Sequence, residues 1–520
     1  MDSITYEIES AKLFSESLIW QLNRNFYLKK GLEAWRDGTV PHHLTSNSMV
    51  GKTYAELIFA FLKDTAAKEQ TKEKVYILEL GAGHGRLAFH VLKHLERLIK
   101  HCNSSLPSYS YVLSDIVEDN LSFFQSHPQF QDYFEKGLLD VAYFDALESK
   151  AILLRHSGVR ILPGDLSQPL LVIANYFFDS IPSDLFHIKN TSVSACSVAL
   201  NSAVNPEGMD EETLLKNMSF VFYDKLIEAP FYEDDISNDI LEAYKDLVSD
   251  AYLFFPHKGL QCLINLNQLS KNGLMILSMD KGFHEIHDLE SNKEPEIITH
   301  GSFSIWVNYH ALKVFFEKQG GTALFPKFST FYSEFGCLLF LPDGESYTET
   351  KAAYQRFVND FGPDDFNGLK RFTYRHIARM NLTELISLLR LSAYDSTLFI
   401  NVLPRIKQLI HQITFNERKR LAQTMHQTWN MYFSLLGSYD LAYEIGGLFY
   451  DLGFYRDALK YFACSINRFG HKADIFYNRA LCYYQLREDE WFVETLNEGK
   501  AAFPLYEQFD HLDKLDLNSE

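Results

Sequence analysis

Apolar positions change rhythm four times along this chain. From residue 1 to about 70 they recur at helical spacing, as in Leu57, Ile58, Phe61 and Leu62 beyond a loop around Pro41, and predict an N-terminal helical cap. From Val75 short apolar runs alternate with amphipathic ones: strand Val75–Leu80, helix Arg86–Lys100, strand Tyr109–Ser114, a helix near Leu121, and strands Leu139–Phe144 and Leu170–Ala174. That alternation predicts an α/β fold with a parallel, doubly wound sheet that holds its ligand at the carboxyl ends of the strands. Between about 187 and 260 the rhythm breaks into short stretches such as MSFVFYDKLI, which read as an insertion shaping the substrate side. The alternation returns with Gly273–Met279, the helix YHALKVFFEKQGG and the run Cys337–Leu341, and the turn at Pro342, Asp343 and Gly344 closes a domain of residues 71–344.

Everything beyond about 350 is helical in pattern. Aligning IGGLFYDLGFYRDALKYF, from Ile445, with RALCYYQLREDEWFVETL, from Arg479, gives a period of about 34 residues, which resembles the tetratricopeptide repeat. Gly446 matches Ala480, Phe449 matches Tyr483, Tyr450 matches Tyr484, Leu452 matches Leu486, and Pro504 falls where that repeat ends. The expectation is an all-α C-terminal domain, with a helical linker region at 345–438 and repeats at 439–510, the helices from about 380 to 438 completing the stack. A plain helical bundle is the alternative.

With 520 residues and 46% hydrophobic content the chain has the material for more than one core, which excludes a disordered protein. A net charge of −19 argues against a nucleic-acid partner. The first residues lack the basic-then-apolar order of a signal peptide and no apolar run is long enough to span a bilayer, so the expected location is cytoplasmic, away from membranes. Six scattered cysteines fit reduced core thiols.

Candidate chemistry concentrates at VYILELGAGHGRLAFHVL, Val75 to Leu92. A strand ends in Glu79 and turns through Gly81, Ala82, Gly83 and Gly85 into a helix, bringing backbone close beneath a nucleotide-like ligand. The dinucleotide fingerprint spaces its third glycine one residue later, and this spacing resembles motif I of S-adenosylmethionine-dependent methyltransferases. The glycines alone leave an NAD site as the alternative. Asp115 closes the second strand, where a carboxylate accepts hydrogen bonds from ribose hydroxyls, and Asp145 closes the third, where it faces an adenine amino group.

Other signals lead away from chemistry. Gly51, Lys52 and Thr53 resemble the end of a phosphate loop, but Ser46 stands where its first glycine belongs and no strand precedes it. His90 and His94, one helical turn apart, read as a solvated helix face among Arg86, Lys93, Arg97 and Lys100, not as metal ligands. Phe254, Phe255, Phe315 and Phe316 read as core.

The segment VIANYFFDSIPSDLF, Val172 to Phe186, narrows the reading. It resembles the Asn-Glu-Phe-Phe-Asp-Ala-Leu-Pro segment of the MidA-like methyltransferases, whose mitochondrial member is a protein arginine methyltransferase; Asn175, Phe177, Phe178, Asp179 and Pro182 are kept. Asp280 and Gly282 match that family's Asp-Tyr-Gly, and SFSIWVNYHAL resembles its Thr-Ala-His-Val-Asp-Phe segment. The resemblance covers roughly residues 40 to 325 and implies a Rossmann-like class I methyltransferase sheet, S-adenosyl-L-methionine as cofactor, and Asn175 and Asp179 as the groups that align the acceptor. Tyr176 replaces the family's Glu and Asn308 its Asp, both removing negative charge near the presumed acceptor, which puts arginine specificity in question. The expected function is methyl transfer to a protein acceptor recruited through the repeats. The alternatives are a catalytically weak binding protein of this fold and a small-molecule methyltransferase. Oligomeric state has no signature in the sequence.

Overall fold

The structure is a computed structural model of the chain, describing all residues except 1–4, 37–45, 69–72, 229, 291, 300–301, 329–332, 436–438, 513 and 516–520. The expected loop around Pro41 and the boundary at 70/71 lie outside the described residues. The chain divides into two units, residues 1–368 and 369–520.

The first unit opens with a strand. β1 (Tyr6–Leu13) is followed by α1 (Leu18–Lys30), the short α2 (Glu33–Arg36) and α3 (Ser48–Ala67). The reading of residues 1–70 as wholly helical is corrected at β1. Its pairing partner lies almost 190 residues downstream, Tyr6 opposite Ser202 and Leu13 opposite Ser197, with two register shifts between them, so no local periodicity announces it.

The alternating segment follows as β2 (Val75–Glu79), α4 (Arg86–Lys100), β3 (Tyr109–Asp115), α5 (Glu118–Ser126), β4 (Leu139–Tyr143) and β5 (Leu170–Asn175). The chain then builds β6 (Asp184–Lys189), β7 (Ser192–Ser202), β8 (Met218–Leu226), α6 (Asp235–Leu247), β9 (Asp250–Phe255) and α7 (His257–Asn267). It closes with β10 (Leu274–Asp280), α8 (Tyr309–Lys318), β11 (Thr322–Leu324), β12 (Glu334–Phe340) and α9 (Thr348–Tyr354).

Among the described residues the central sheet has seven strands in the order β11–β12–β10–β5–β2–β3–β4. The five from β10 to β4 are parallel; at one side β12 runs antiparallel to β10, and β11 pairs antiparallel with β12. Runs such as LLVIAN and LMILSMD are apolar almost throughout because helices cover both faces. One core joins Leu78 and Val172 of the sheet to Leu260 and Leu263 of α7 and to Leu312 and Phe315 of α8. Phe254, Phe255, Phe315 and Phe316 are buried, as expected. Strand order reverses at β2, with β3 on one side and β5 on the other, so a crevice opens at the carboxyl end of β2.

The region of broken rhythm is a second sheet. β1, β7, β6 and β9 form an antiparallel array, with β8 along the other side of β7. It therefore recruits the N-terminal strand as well as the inserted residues.

Helices α3 and α4 pack so tightly that a Cβ on Gly51 would lie 2.3 Å from Cβ of His90. Glycine stands in Gly-Lys-Thr to admit a neighbouring helix. The same contact corrects the reading of His90 and His94 as a solvated face: both are buried under α3, and the hydroxyl of Ser48 lies 3.1 Å from Nε2 of His94. Burial pushes both imidazoles far below their ordinary range, His94 to about 3. Among the described residues no group of three or more His, Cys, Asp or Glu is arranged to hold a metal ion, and no helix is long and apolar enough to cross a membrane. All six cysteines are unpaired thiols.

Helix α10 (Pro363–His376) runs from the first unit into the second. The second unit continues with α11 (Leu382–Leu391), α12 (Ser396–Leu409), α13 (Phe415–Asn430), α14 (Leu441–Asp451), α15 (Tyr455–Phe469), α16 (Ala473–Gln485) and α17 (Asp489–Ala502), each packed on its chain neighbour. The pairs α14–α15 and α16–α17 share a register of 34 residues. Gly453 and Arg487 take the same left-handed turn, φ +80° and +58°, and the contact of Gly446 with Phe462 recurs as Ala480 and Leu496 in one buried cluster.

Candidate functional site

A cavity of about 720 Å³ opens at the carboxyl end of β2, within the range of about 300–1,000 Å³ typical of small-molecule sites. Glu79, Gly81, Ala82, Gly83, Asp115, Asp145, Asn175 and Asp179 all line it. Residues chosen from four separate strand ends thus meet at one place, because parallel strands deliver their carboxyl ends to the same edge.

The loop after β2 is locked to β3. The amide of Gly83 donates to Oδ2 of Asp115 at 2.9 Å, the amide of Val117 donates to Oδ1 at 2.9 Å, and Nδ2 of Asn120 donates to Oδ2 at 3.2 Å. Gly81, Gly83 and Gly85 have φ of +60°, +59° and +75°, which side-chain-bearing residues adopt only under strain. The three then differ. At Gly81 a Cβ would meet nothing nearer than Phe177 at 3.9 Å, which leaves a cradle open to the cavity. At Gly83 it would lie 2.9 Å from the indole of Trp35. Gly85 does not line the cavity; it precedes α4, and a Cβ there would lie 3.1 Å from Phe124 and 3.3 Å from Phe130.

Glu79 is buried, and the hydroxyl of Tyr111 donates to its Oε2 at 2.7 Å. Burial outweighs that hydrogen bond and pushes its carboxyl up to about 8. Burial likewise raises Asp115, opposed by the donors from Val117, Asn120 and Gly83.

Asp145 carries a partner that the sequence did not suggest. Nη2 of Arg24, from α1, reaches its Oδ2 at 2.5 Å, while the amide of Leu147 donates to Oδ1 at 3.0 Å. Arg24, Tyr27 and Trp35 all line the cavity from the N-terminal segment, with Tyr27 stacked on Trp35 at 6.0 Å between centroids. Nothing in their local sequence marks them, because the N-terminal segment is held over the site by pairing to the distant β7.

At the end of β5, Tyr54 donates to Oδ1 of Asn175 at 3.3 Å. Tyr176 follows with φ +48°, its amide bonded to the carbonyl of Met279 at 3.0 Å. A non-glycine residue in this conformation costs on the order of 1 kcal/mol or more and is typical of functional turns.

Asp179 lies within the Phe178–Ser180 turn and accepts from the Ser180 hydroxyl at 2.8 Å. Nζ of Lys281 stands 3.6 Å from its Oδ2 and is also hydrogen-bonded to Ser304. Burial raises Asp179, and the Lys281 charge opposes the rise. Beneath them Asp280 is fully buried, accepts the amide of Asp179 at 3.2 Å, and is pushed well above the carboxylate range by burial, with Asp179 adding to it. Lys281 stands between Asp280 and Gly282 in the sequence, and a lysine directly after an acid at a strand end is the signal it offers.

Asn308, expected near the acceptor, is elsewhere. It caps α8, its Oδ1 accepting the amide of Ala311 at 2.9 Å, and it lies outside the cavity wall. Asn308 therefore serves a helix cap and is not part of the wall of the site.

Two solved structures from Burkholderia thailandensis resemble the chain weakly. One, an uncharacterized protein solved in its native form, is 10% identical, covers 65% of this chain and 90% of its own, and has a TM-score of 0.40. The other, titled a "likely methyl transferase" bound to S-adenosyl-homocysteine, is 12% identical, covers 59% and 79%, and has a TM-score of 0.35. No curated protein matches the chain. Residues 55–295, which contain β2 to β5 and every strand-end residue named above except the N-terminal contributors, match the profile of a family described as "Putative S-adenosyl-L-methionine-dependent methyltransferase".

Proposed function

We infer that the chain is an S-adenosyl-L-methionine-dependent methyltransferase. The observation that carries this is the loop at Gly81–Gly83, hydrogen-bonded to Asp115 and open at Gly81, over a cavity that Asn175 and Asp179 reach from the neighbouring strand. The match of residues 55–295 to the family profile supports it.

In this reading Gly81 and Ala82 pass beneath the donor, Asp115 meets the ribose, and Asp145, held by Arg24, stands at the base. The cofactor supplies a methyl group on a positively charged sulfur with a good leaving group. The protein's share is to bring an acceptor atom into line and to receive its proton, roles for which we favour Asp179 as the carboxylate and Asn175 as a neutral hydrogen-bonding partner. The acceptor we favour is a protein, presented by the helix pairs of the second unit, read as tetratricopeptide repeats. Lys281 beside Asp179 places a fixed cation where a guanidinium would otherwise pair, which weighs against arginine as the modified residue.

The same ion pair favours a second reading, a donor-binding protein with little transferase activity, because Asp179 already holds a cation. Calorimetry and labelling separate the two. S-adenosylmethionine is expected to bind with a Kd on the order of micromolar, and tritiated donor incubated with lysate and protein is expected to leave label on macromolecules. Binding without any label selects the second reading, label on small molecules alone removes the protein acceptor, and no binding removes both.

A further inference from the structure

The second unit has no net charge, yet its halves are opposite. Residues 369–430 hold ten Lys and Arg against three Asp and Glu, a net +7, and residues 431–520 hold eight against fifteen, a net −7. Its helices pack in chain order, so the basic ones begin the stack and the acidic ones end it.

Each pole carries a stripe of one sign. Arg371 and Arg375 lie one turn apart on α10, and Arg379 continues the step on the following turn; all three are exposed. Phe372 beside them is 60% exposed, its ring stacked on His376 at 4.2 Å. This segment is fixed to α12, where Nδ2 of Asn401 donates to the Tyr374 hydroxyl at 3.0 Å and Nε of Arg405 donates to the Met380 carbonyl at 3.0 Å. At the other pole Glu490, Glu494 and Glu498 repeat every fourth residue along α17, exposed, beside Trp491 at 56% exposure.

Arg371 and Arg375 on α10 and the successive glutamates of α17 are each four helical residues apart, a rise of about 6 Å, so these steps match in spacing as well as in sign, with Arg379 on the turn that follows α10. Like charges one turn apart destabilise their own helix, a cost that an opposing stripe removes. Among the described residues Arg375, Arg379, Glu490, Glu494 and Glu498 take part in no ion pair. The stripes stand at the two ends of one stack, and the surface that complements each is the other stripe on another molecule.

We propose that copies of this chain associate head to tail through the helical unit, the Glu490–Glu494–Glu498 stripe and Trp491 of one docking on the Arg375–Arg379 stripe and Phe372 of the next. This contact is heterologous, so it permits chains longer than a dimer. Exposed ion pairs are individually weak and screened by salt, so association is concentration-dependent and favoured at low ionic strength.

Sedimentation of the full chain tests it. At about 20 mM salt the average mass is expected to rise with concentration above the 60.2 kDa monomer, and to return to it near 0.5 M salt. Arg375→Glu with Arg379→Glu, and separately Glu494→Lys with Glu498→Lys, are each expected to give monomers. An equimolar mixture of these two variants is expected to associate again, because the unaltered glutamate stripe of one meets the unaltered arginine stripe of the other and the two reversed stripes likewise carry opposite charge. Circular dichroism checks the fold of each, and Arg375→Gln with Arg379→Gln serves if the reversal disturbs α10. A wild type that stays monomeric at low salt overturns the proposal, as does association that survives either reversal or a mixture that fails to restore it.

Discussion

Gly83 and Asp115 are joined by a hydrogen bond of 2.9 Å that ties the loop after one strand to the end of the next. The same carboxylate also accepts from Val117 and Asn120. Removing it strands several donors at once, each buried donor costing about 1–3 kcal/mol when left without a partner. Asp115→Ala is therefore expected to lower stability by at least about 2 kcal/mol and to abolish S-adenosylmethionine binding, read by urea denaturation and calorimetry. Asp115→Asn, which keeps the shape and one acceptor oxygen, is expected to fold better than Asp115→Ala while still binding the donor poorly.

Gly83→Val is expected to act through Trp35. The new Cβ would meet the indole at 2.9 Å, and φ of +59° strains any β-branched residue. The expected result is a shifted tryptophan emission spectrum, a stability loss of about 1–3 kcal/mol and loss of donor binding. Unchanged emission together with intact binding would contradict this placement of Trp35.

The raised carboxyl of Glu79 makes a pH prediction with a definite sign. Its folded value is about 8 against an ordinary 4.5, so between those values the native state holds a proton that the unfolded chain has released. Stability from this group is full below about 4.5 and declines as pH rises toward 8, at up to about 1.4 kcal/mol per pH unit. Denaturation midpoints measured from pH 5 to 8 are expected to fall less steeply in Glu79→Gln than in the wild type.

Arg24 and Asp145 hold the N-terminal segment to the sheet. Asp145 is nearly buried while about a third of the Arg24 side chain meets water, so the pair's loss is expected to cost about 1–2 kcal/mol, less than a fully buried pair. Arg24→Met should make residues 1–36 more sensitive to limited proteolysis while leaving the central sheet folded.

Asp64 offers a purely structural test. Its carboxylate accepts the amides of Glu349 and Thr350 at 3.1 and 2.8 Å and the Thr350 hydroxyl at 2.7 Å, fastening the first turn of α9 to α3. Asp64→Ala is expected to lower stability by about 1–2 kcal/mol, the scale of a lost helix cap, with donor binding unchanged.

What could be read in advance follows the distance over which each feature is determined. Glu79, Gly81, Gly83 and Asp115 were legible because a strand, a turn and a helix start are encoded within a few residues, and parallel strands bring their ends together without further instruction. Trp35, Arg24 and Tyr27 were not, since their place in the wall depends on β1 pairing with β7. His90 and His94 show the reverse failure: an amphipathic pattern was read correctly as a helix, but charged neighbours on one face did not reveal that α3 would bury it through Gly51. Asn308 looked like altered chemistry and is a helix cap, a role any short polar side chain can fill.

The pairing of β1 with β7 also sets an order of events during synthesis. Tyr6–Leu13 is made well before its partner, which ends at Ser202, so at about 5–20 residues per second it waits on the order of 10–40 s for a strand to join. Over that interval the loop after β2 and its Asp115 anchor can assemble with nothing above them. The roof over the cavity is thus a late, long-range closure on a floor built from neighbours, and nascent chains halted before and after residue 202 should differ in Trp35 environment far more than in the hydrogen bonding of Gly83.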